Sequence, residues 1–274
     1  MGTVIIIIAI IIIIAIIITQ AFLLFQYKYF TTTEDTLCVV RNPYSIKGVL
    51  LWPRSIKGHW PIDVSFDFEV KNDIFQHASQ LPRGYAVVDS GAHVGDGAVP
   101  LAAALADTGR SDIIVYAIEP DPFKCNVIKA LANINNVRNI RVICTGLSAH
   151  HGRYTEDNIP SEGINCTNMQ CALAPNSGAT TWKQVESGGV EFQTLDSLYA
   201  TRQIEQPLGC LHLDVEGMEL AAIQGSLSTI NKYRPYLSIE DWSNDTRPFD
   251  QLLPGYTFHR RLLGNNVYLP SVGV

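Results

Sequence analysis

The stretch that decides the fold is Val87-Val-Asp89-Ser-Gly91-Ala-His93-Val-Gly95-Asp-Gly97. An apolar run, Tyr85 to Ser90, reads as a buried strand, and Ala98 to Ala106 resumes as a helix after the glycines. Glycines placed there let the backbone come close to a ligand, and an acid at the strand tip accepts a bond from a cation or a hydroxyl. The spacing is G-x-x-x-G-x-G rather than G-x-G-x-x-G, which counts against a pyrophosphate-binding dinucleotide site.

Further strands and helices alternate on the C-terminal side. Ile113 to Ile118 reads as a strand, Pro122 to Asn135 as a helix with proline in its first turn, and Ile140 to Cys144 as a third strand. This rhythm means a mostly parallel sheet covered by helices on both faces, with ligands at the carboxyl ends of its strands. Residues 149–190 break it, being rich in Gly, Ser, Asn, Thr and Pro, and suit a lid, a substrate-contacting hairpin or a variable surface loop. The rhythm resumes with a strand at Leu208 to Asp214, a helix from Met218 to Tyr233, a strand at Tyr236 to Glu240 and a terminal hairpin turning near Gly264.

On the N-terminal side the composition changes. All 20 Lys and Arg and all 26 Asp and Glu of the 274 residues follow residue 27, and Val4 to Phe25 carries no charge. At a rise of about 1.5 Å per residue that stretch spans a hydrocarbon core of about 30 Å, so residues 1–27 read as a single transmembrane anchor. A cleaved signal peptide fits less well, because there is no basic leader and no small-residue cleavage site. Lys28 and Arg41 lean the domain toward the cytoplasm, whereas the sequons at Asn165 and Asn244 suit a lumenal one. Residues 28–81 are taken as linker plus accessory layer, with a strand at Ile62 to Val70 and a helix at Asp73 to Leu81. Residues 82–274 form the main domain.

The net charge of −6 argues against a nucleic-acid backbone as partner. The six cysteines lack zinc-ligand spacing, and no metal is expected. Cys125, Cys144 and Cys210 read as buried free thiols, leaving Cys166 and Cys171 as the pair able to bond in an oxidising compartment.

Two more strand ends carry acids. Glu119-Pro120-Asp121-Pro122 follows the second strand, where Glu119 is placed to hold ribose hydroxyls and Asp121 to cap a helix. Asp214-Val-Glu216-Gly217-Met-Glu219 follows the fourth. While the chain stays extended, Asp214 and Glu216 point to one side, and such a pair serves as base, cation holder, hydroxyl orienter or simply helix cap.

Taken together, the D-x-G-A-x-x-G loop, the E-P-D-P turn, Thr194-Leu-Asp-Ser-Leu198, D-V-E-G-x-E and the strand ending in Glu240 resemble the FkbM-type S-adenosylmethionine-dependent methyltransferases. The resemblance covers Gly84 to Glu240. It implies an α/β class I Rossmann-like methyltransferase fold of seven strands with the last antiparallel, S-adenosyl-L-methionine as cofactor, and methyl transfer to oxygen, often on sugars. Asp89, Gly91, Ala92, His93 and Gly95 would then surround the methionine part, and Glu119 with Pro120 the ribose. Asp214, helped by His212 or Glu216, would act as base or orienter, with Glu240 and Trp242 bordering the acceptor. His93 stands where the family usually has Asn, and His212 where it usually has Lys.

These readings point to a membrane-anchored O-methyltransferase acting on a glycan or glycolipid. The alternatives are a catalytically silent tethered binding module and a nicotinamide-dependent oxidoreductase. A glycosyltransferase fits worse, for want of a D-x-D motif.

Overall fold

The structure is a computed structural model that describes residues 37–42, 44, 49–53, 68–157, 181–243 and 245–271. The 1–27 segment, Cys166, Cys171 and both sequon asparagines lie outside the described residues. Among the described residues no helix is long and apolar enough to cross a membrane.

The N-terminal part holds an antiparallel pair, β1 (Leu37–Arg41) and β2 (Val49–Pro53), then helix α1 (Phe68–Ser79). The central unit begins with β3 (Ala86–Ser90), α2 (Ala98–Asp107), β4 (Ile114–Ile118), α3 (Pro122–Ile134) and β5 (Ile140–Ile143). A small sheet follows, from β6 (Gly146–Leu147), β7 (Gly152–Glu156), β8 (Trp182–Val185) and β9 (Val190–Gln193). The chain then forms α4 (Leu195–Ala200), β10 (Leu208–Leu213), α5 (Glu219–Gln224), α6 (Leu227–Tyr233) and β11 (Tyr236–Glu240). It finishes with α7 (Arg247–Leu252) and the hairpin β12 (Tyr256–Leu262) and β13 (Asn265–Pro270).

The seven-stranded sheet runs β12-β13-β11-β10-β3-β4-β5. β3, β4, β5, β10 and β11 are parallel, and β13 is antiparallel to both of its neighbours, as expected for the last strand. Because side chains alternate along a strand, each strand feeds two cores. Val87, Val115, Cys210 and Tyr236 face α1, α2 and α3, while Val88, Tyr116, Leu211 and Leu237 face the opposite side. The same alternation sends Asp89, His212, Asp214, Ser238 and Glu240 to the α1 and α2 side. A polar row thus crosses one face of the sheet toward its carboxyl edge.

Three expectations need correction, and the 149–190 stretch gains detail. Phe68, Glu69 and Val70 belong to α1 rather than to a strand, so that helix starts five residues before the expected Asp73. The 62–70 alternation also hides the helical spacing of Val70, Ile74, Phe75 and Ala78, which buries a stripe against the sheet. The helix expected over 218–233 is two short helices, broken at Gly225, where a Cβ would come 2.1 Å from the carbonyl oxygen of Ser148. The 149–190 stretch contributes β7, β8 and the start of β9 to the small sheet. Cys125 and Cys144 are disulfide-bonded with Cα atoms 6.0 Å apart, a separation ordinary for a bridge, and Cys144 is exposed. Cys210 remains a free buried thiol as expected.

Helix α1 is tied to the sheet by Asp73, which accepts from Tyr236 Oη at 2.6 Å and pairs with Arg260. Arg110 holds the chain leaving the helix by donating to the carbonyls of Ser79 and Leu81. Asp73→Ala removes two charge-assisted bonds and should lower the unfolding free energy in urea by about 1–3 kcal/mol. An unchanged midpoint would show that α1 is held by its apolar stripe alone.

Candidate active site

Gly91, at φ +83°, turns the chain off β3. A Cβ there would lie 1.6 Å from the carbonyl oxygen of Asp214, so the loop and the end of β10 meet backbone to backbone. Four of the loop's amides are engaged within the protein. Gly91 and Ala92 donate to the Ile118 carbonyl, His93 to Glu119 Oε2 at 3.0 Å, and Gly95 to the Ala92 carbonyl.

Glu119, 4% exposed at the tip of β4, also accepts from Asp121 N through its other oxygen. Each oxygen keeps a lone pair, enough for two neighbouring hydroxyls. Burial raises its pKa, opposed by the nearby Lys124 and His93. Asp121 caps α3, accepting from Phe123 N at 2.7 Å, and Pro122 occupies the first turn. His93 sits in the left-handed region at φ +49°, with Nδ1 3.8 Å from Asp96.

Beneath the loop, Asp89 (3% exposed) and His212 (2% exposed) are register neighbours on β3 and β10, bonded Oδ1 to Nδ1 at 2.7 Å. Burial alone would raise the Asp89 pKa. The charge of Lys71 and then the bond from His212 overcome it and hold the carboxyl down at about 2. An ionised Asp89 can only accept, so the proton of that bond resides on Nδ1. Its Oδ2 is buried with no hydrogen-bond partner among the described residues. His212 therefore lies below the strand ends rather than at their mouth.

At the mouth, one carboxylate oxygen each from Asp214, Glu216 and Glu240 lies within 4.8 Å of the others. The chain leaves the extended form after Leu213, and Glu216 turns into the left-handed region at φ +52°, yet still reaches Asp214. Asp214 is raised well above the usual carboxylate range, by loss of water first and then by the neighbouring Glu240, and Glu240 is raised as well, chiefly by loss of water. Glu216 is pushed up to about 7, by loss of water first and then by Asp214 and Glu219. Three oxygens this close also suffice to grip a small cation. Glu219 turns back to accept from Val215 N and Gly217 N, fixing the turn that carries Glu216.

Trp242 is 70% exposed, its Nε1 donating to Glu240 Oε1 at 2.9 Å and its ring lying over Gly264. Trp242 is thereby tied to the cluster through Glu240. A separate concavity of about 610 Å³ runs along the outer side of β5, lined in part by Arg141, Glu191, Arg202 and Glu205. Its two guanidinium groups are matched by two carboxylates, and it lacks the carboxylate cluster.

Lys71 was missed by the sequence reading. It sits within the apolar stripe of α1, 9% exposed, and Asp89, Asp96 and Asp214 hold its ammonium charged against the cost of burial. A lysine between Val70 and Ile74 on an otherwise apolar helix face was the available signal, and the assignment of Val70 to a strand concealed it.

The FkbM methyltransferase domain family matches residues 89–269. Among solved structures, an FkbM methyltransferase from Methylobacillus flagellatus KT is 18% identical at TM-score 0.44, over 69% of this chain and 45% of that one, so the chain spans under half of that relative. An rRNA methylase from Streptococcus thermophilus is 10% identical at TM-score 0.41, over 74% of this chain and 96% of that one. A Streptococcus mutans protein described as a methyltransferase, in complex with SAH, is 10% identical at TM-score 0.41, over 74% of this chain and 95% of that one. A comparison with curated proteins finds no match.

The cluster makes the fold sensitive to pH. With its pKa raised from 4.5 to about 7, Glu216 binds a proton more tightly in the native chain than in the unfolded one. That stability is complete below the unfolded pKa and is lost as pH rises through about 7. The urea midpoint should fall between pH 5 and pH 8, and Glu216→Gln should shrink the fall. An equal fall in the variant would mean Glu216 does not carry the proton.

Proposed function

The chain belongs to the FkbM methyltransferase family, with S-adenosylmethionine as its cofactor, and from that membership we propose that it methylates a hydroxyl oxygen of a sugar on a glycan or glycolipid. The observation that carries the reading is the junction of Asp214, Glu216 and Glu240 with the exposed Trp242. An oxygen acceptor needs a proton acceptor and an orienting group within reach, and a sugar needs a flat apolar surface beside them.

The cofactor fits what the strand ends offer. Glu119 has lone pairs left for ribose hydroxyls, the loop from Gly91 to Gly95 provides close backbone approach, and the surrounding carboxylates favour a cation. When bound, S-adenosylmethionine supplies a methyl group made electrophilic by a positively charged sulfur. Glu216, with a pKa of about 7, is ionised in about half of the molecules at neutral pH and takes the proton from the acceptor hydroxyl. Asp214 and Glu240, whose carboxyls are both raised by burial, orient that hydroxyl. Trp242, anchored to Glu240, stacks on the sugar ring. His212 keeps Asp89 in place from below and does not touch the acceptor.

Residues 1–27 place the enzyme at a membrane, with the acceptor in or on the same surface. The support for this is their uncharged, isoleucine-rich sequence.

Glu119→Ala should weaken S-adenosylmethionine binding by about 10- to 100-fold in isothermal titration, the range expected for losing hydrogen bonds to a charged group. Binding equal to wild type would remove Glu119 from the cofactor site. Transfer of radiolabelled methyl to a glycan panel tests the acceptor class, with Trp242→Ala raising KM for the glycan and leaving cofactor affinity within about twofold. Label appearing on protein or nucleic acid and on no glycan would overturn the sugar reading.

A further inference from the structure

Large apolar side chains left in water gather at one edge of this molecule. Among the described residues the well exposed ones are Phe68, Leu220, Trp242, Phe258 and Leu263, and all but Phe258 lie at the carboxyl edge of the seven-stranded sheet. Phe68 opens α1, whose Lys71 lies against Gly97 at that edge, while the chain leaving α1 meets Gly209 near the start of β10 through Leu81. Leu220 lies in the first turn of α5, just past the end of β10. Trp242 follows β11 by two residues, and Leu263 lies in the turn between β12 and β13. Because Asn265 is the register partner of Glu240, that turn projects beyond the last residue of β11. The Gly264 carbonyl accepts from Asp241 N at 2.9 Å and the Trp242 ring lies over Gly264, so Trp242 and Leu263 stand on one braced tip.

Leu263 is 51% exposed and its backbone sits in the left-handed region at φ +42°. Glycine or asparagine suits that conformation, whereas leucine there is strained and leaves its side chain in water. Exposed apolar residues collected beside a pocket mark a contact surface.

The occupant follows from where the chain enters the domain. Val4 to Phe25 carries no charge, and Tyr27 is ten residues from Leu37, the first residue of β1, a reach of at most about 35 Å. Asn42, next after β1, donates to the Pro100 carbonyl in the first turn of α2, and Tyr44 stacks on Phe68 with ring centroids 5.7 Å apart. The N-terminal segment therefore joins the domain at the same carboxyl edge, and a membrane tether arriving there holds that edge toward the bilayer.

We propose that the carboxyl edge of the sheet docks on the lipid bilayer, with Trp242 and Leu263 dipping into its interfacial layer, so that the mouth of the site opens toward lipid-linked acceptors. Tryptophan suits that depth, because its ring is apolar and its N–H is satisfied, here by Glu240. The proposal rests on reading residues 1–27 as a membrane anchor.

The test uses the full chain reconstituted in phosphatidylcholine vesicles, with and without bromine on the acyl chains, which quenches tryptophan on contact. This lipid has no net charge, and the acids of this edge gain nothing from an anionic surface. The chain has four tryptophans, Trp52, Trp60, Trp182 and Trp242, and Trp242→Phe should remove at least about half of the bromolipid quenching seen in wild type. Leu263→Asn, which suits the positive φ, should lower the quenching about twofold and leave the urea midpoint unchanged or higher. Equal quenching in wild type and Trp242→Phe overturns the proposal. Dimers in detergent that are lost in Leu263→Asn, together with an unquenched Trp242, would assign the edge to a second copy of the chain instead. If the full chain leaves the vesicles in alkaline carbonate, the anchor fails and the docking with it; if it stays and Trp242 is unquenched, the docking edge alone fails.

Discussion

Crowded negative charge at the ends of parallel strands is the constraint around which this molecule is built. Asp89, Glu119, Asp214, Glu216 and Glu240 all converge on one edge of the sheet, and carboxylates brought this close and away from water cannot all remain ionised unaided. The structure answers in three ways. Asp89 receives a hydrogen bond from His212 and the charge of Lys71; Glu119 receives backbone N–H groups; Asp214 and Glu240 have their pKa values raised. Each answer fixes a different part of the pocket, so the charge problem and the shape of the site have one solution.

Backbone contacts tie the parts together. Gly91 abuts the Asp214 carbonyl, and the amides of Gly91 and Ala92 are held by the end of β4. The glycine loop is therefore braced by both neighbouring strands. Glu119 adds a third brace, joining the loop to the E-P-D-P turn. A site assembled from the ends of β3, β4, β10 and β11 is rigid because the strands are hydrogen-bonded to one another.

Much of this could be read from the residues. Alternation of apolar strands and helices located β3, β4, β5, β10 and β11 to within a residue or two, because buried parallel strands are short apolar runs closed by glycine, proline or acid. The acids of the site were legible for the same reason, as each stands at the end of such a run. What was hidden depended on tertiary contact. Lys71 is distant in sequence from the carboxylates it serves, and the alternation of residues 62–70 mimicked a strand where a helix begins. The Cys125 and Cys144 bridge was hidden too, since both lie in segments that suit buried thiols and only the fold brings their Cα atoms within bonding range. The split of α5 from α6 arises from a close approach of Gly225 to Ser148, which no local pattern announces.

The central claim is that S-adenosylmethionine lies across these strand ends with its sulfur toward the carboxylates. A crystal structure of the domain bound to S-adenosylhomocysteine tests it directly. The account predicts ribose hydroxyls within hydrogen-bond distance of Glu119 and a sulfur that opens toward Asp214, Glu216 and Glu240. A ligand bound in the concavity beside β5, or one whose ribose leaves Glu119 untouched, would contradict it.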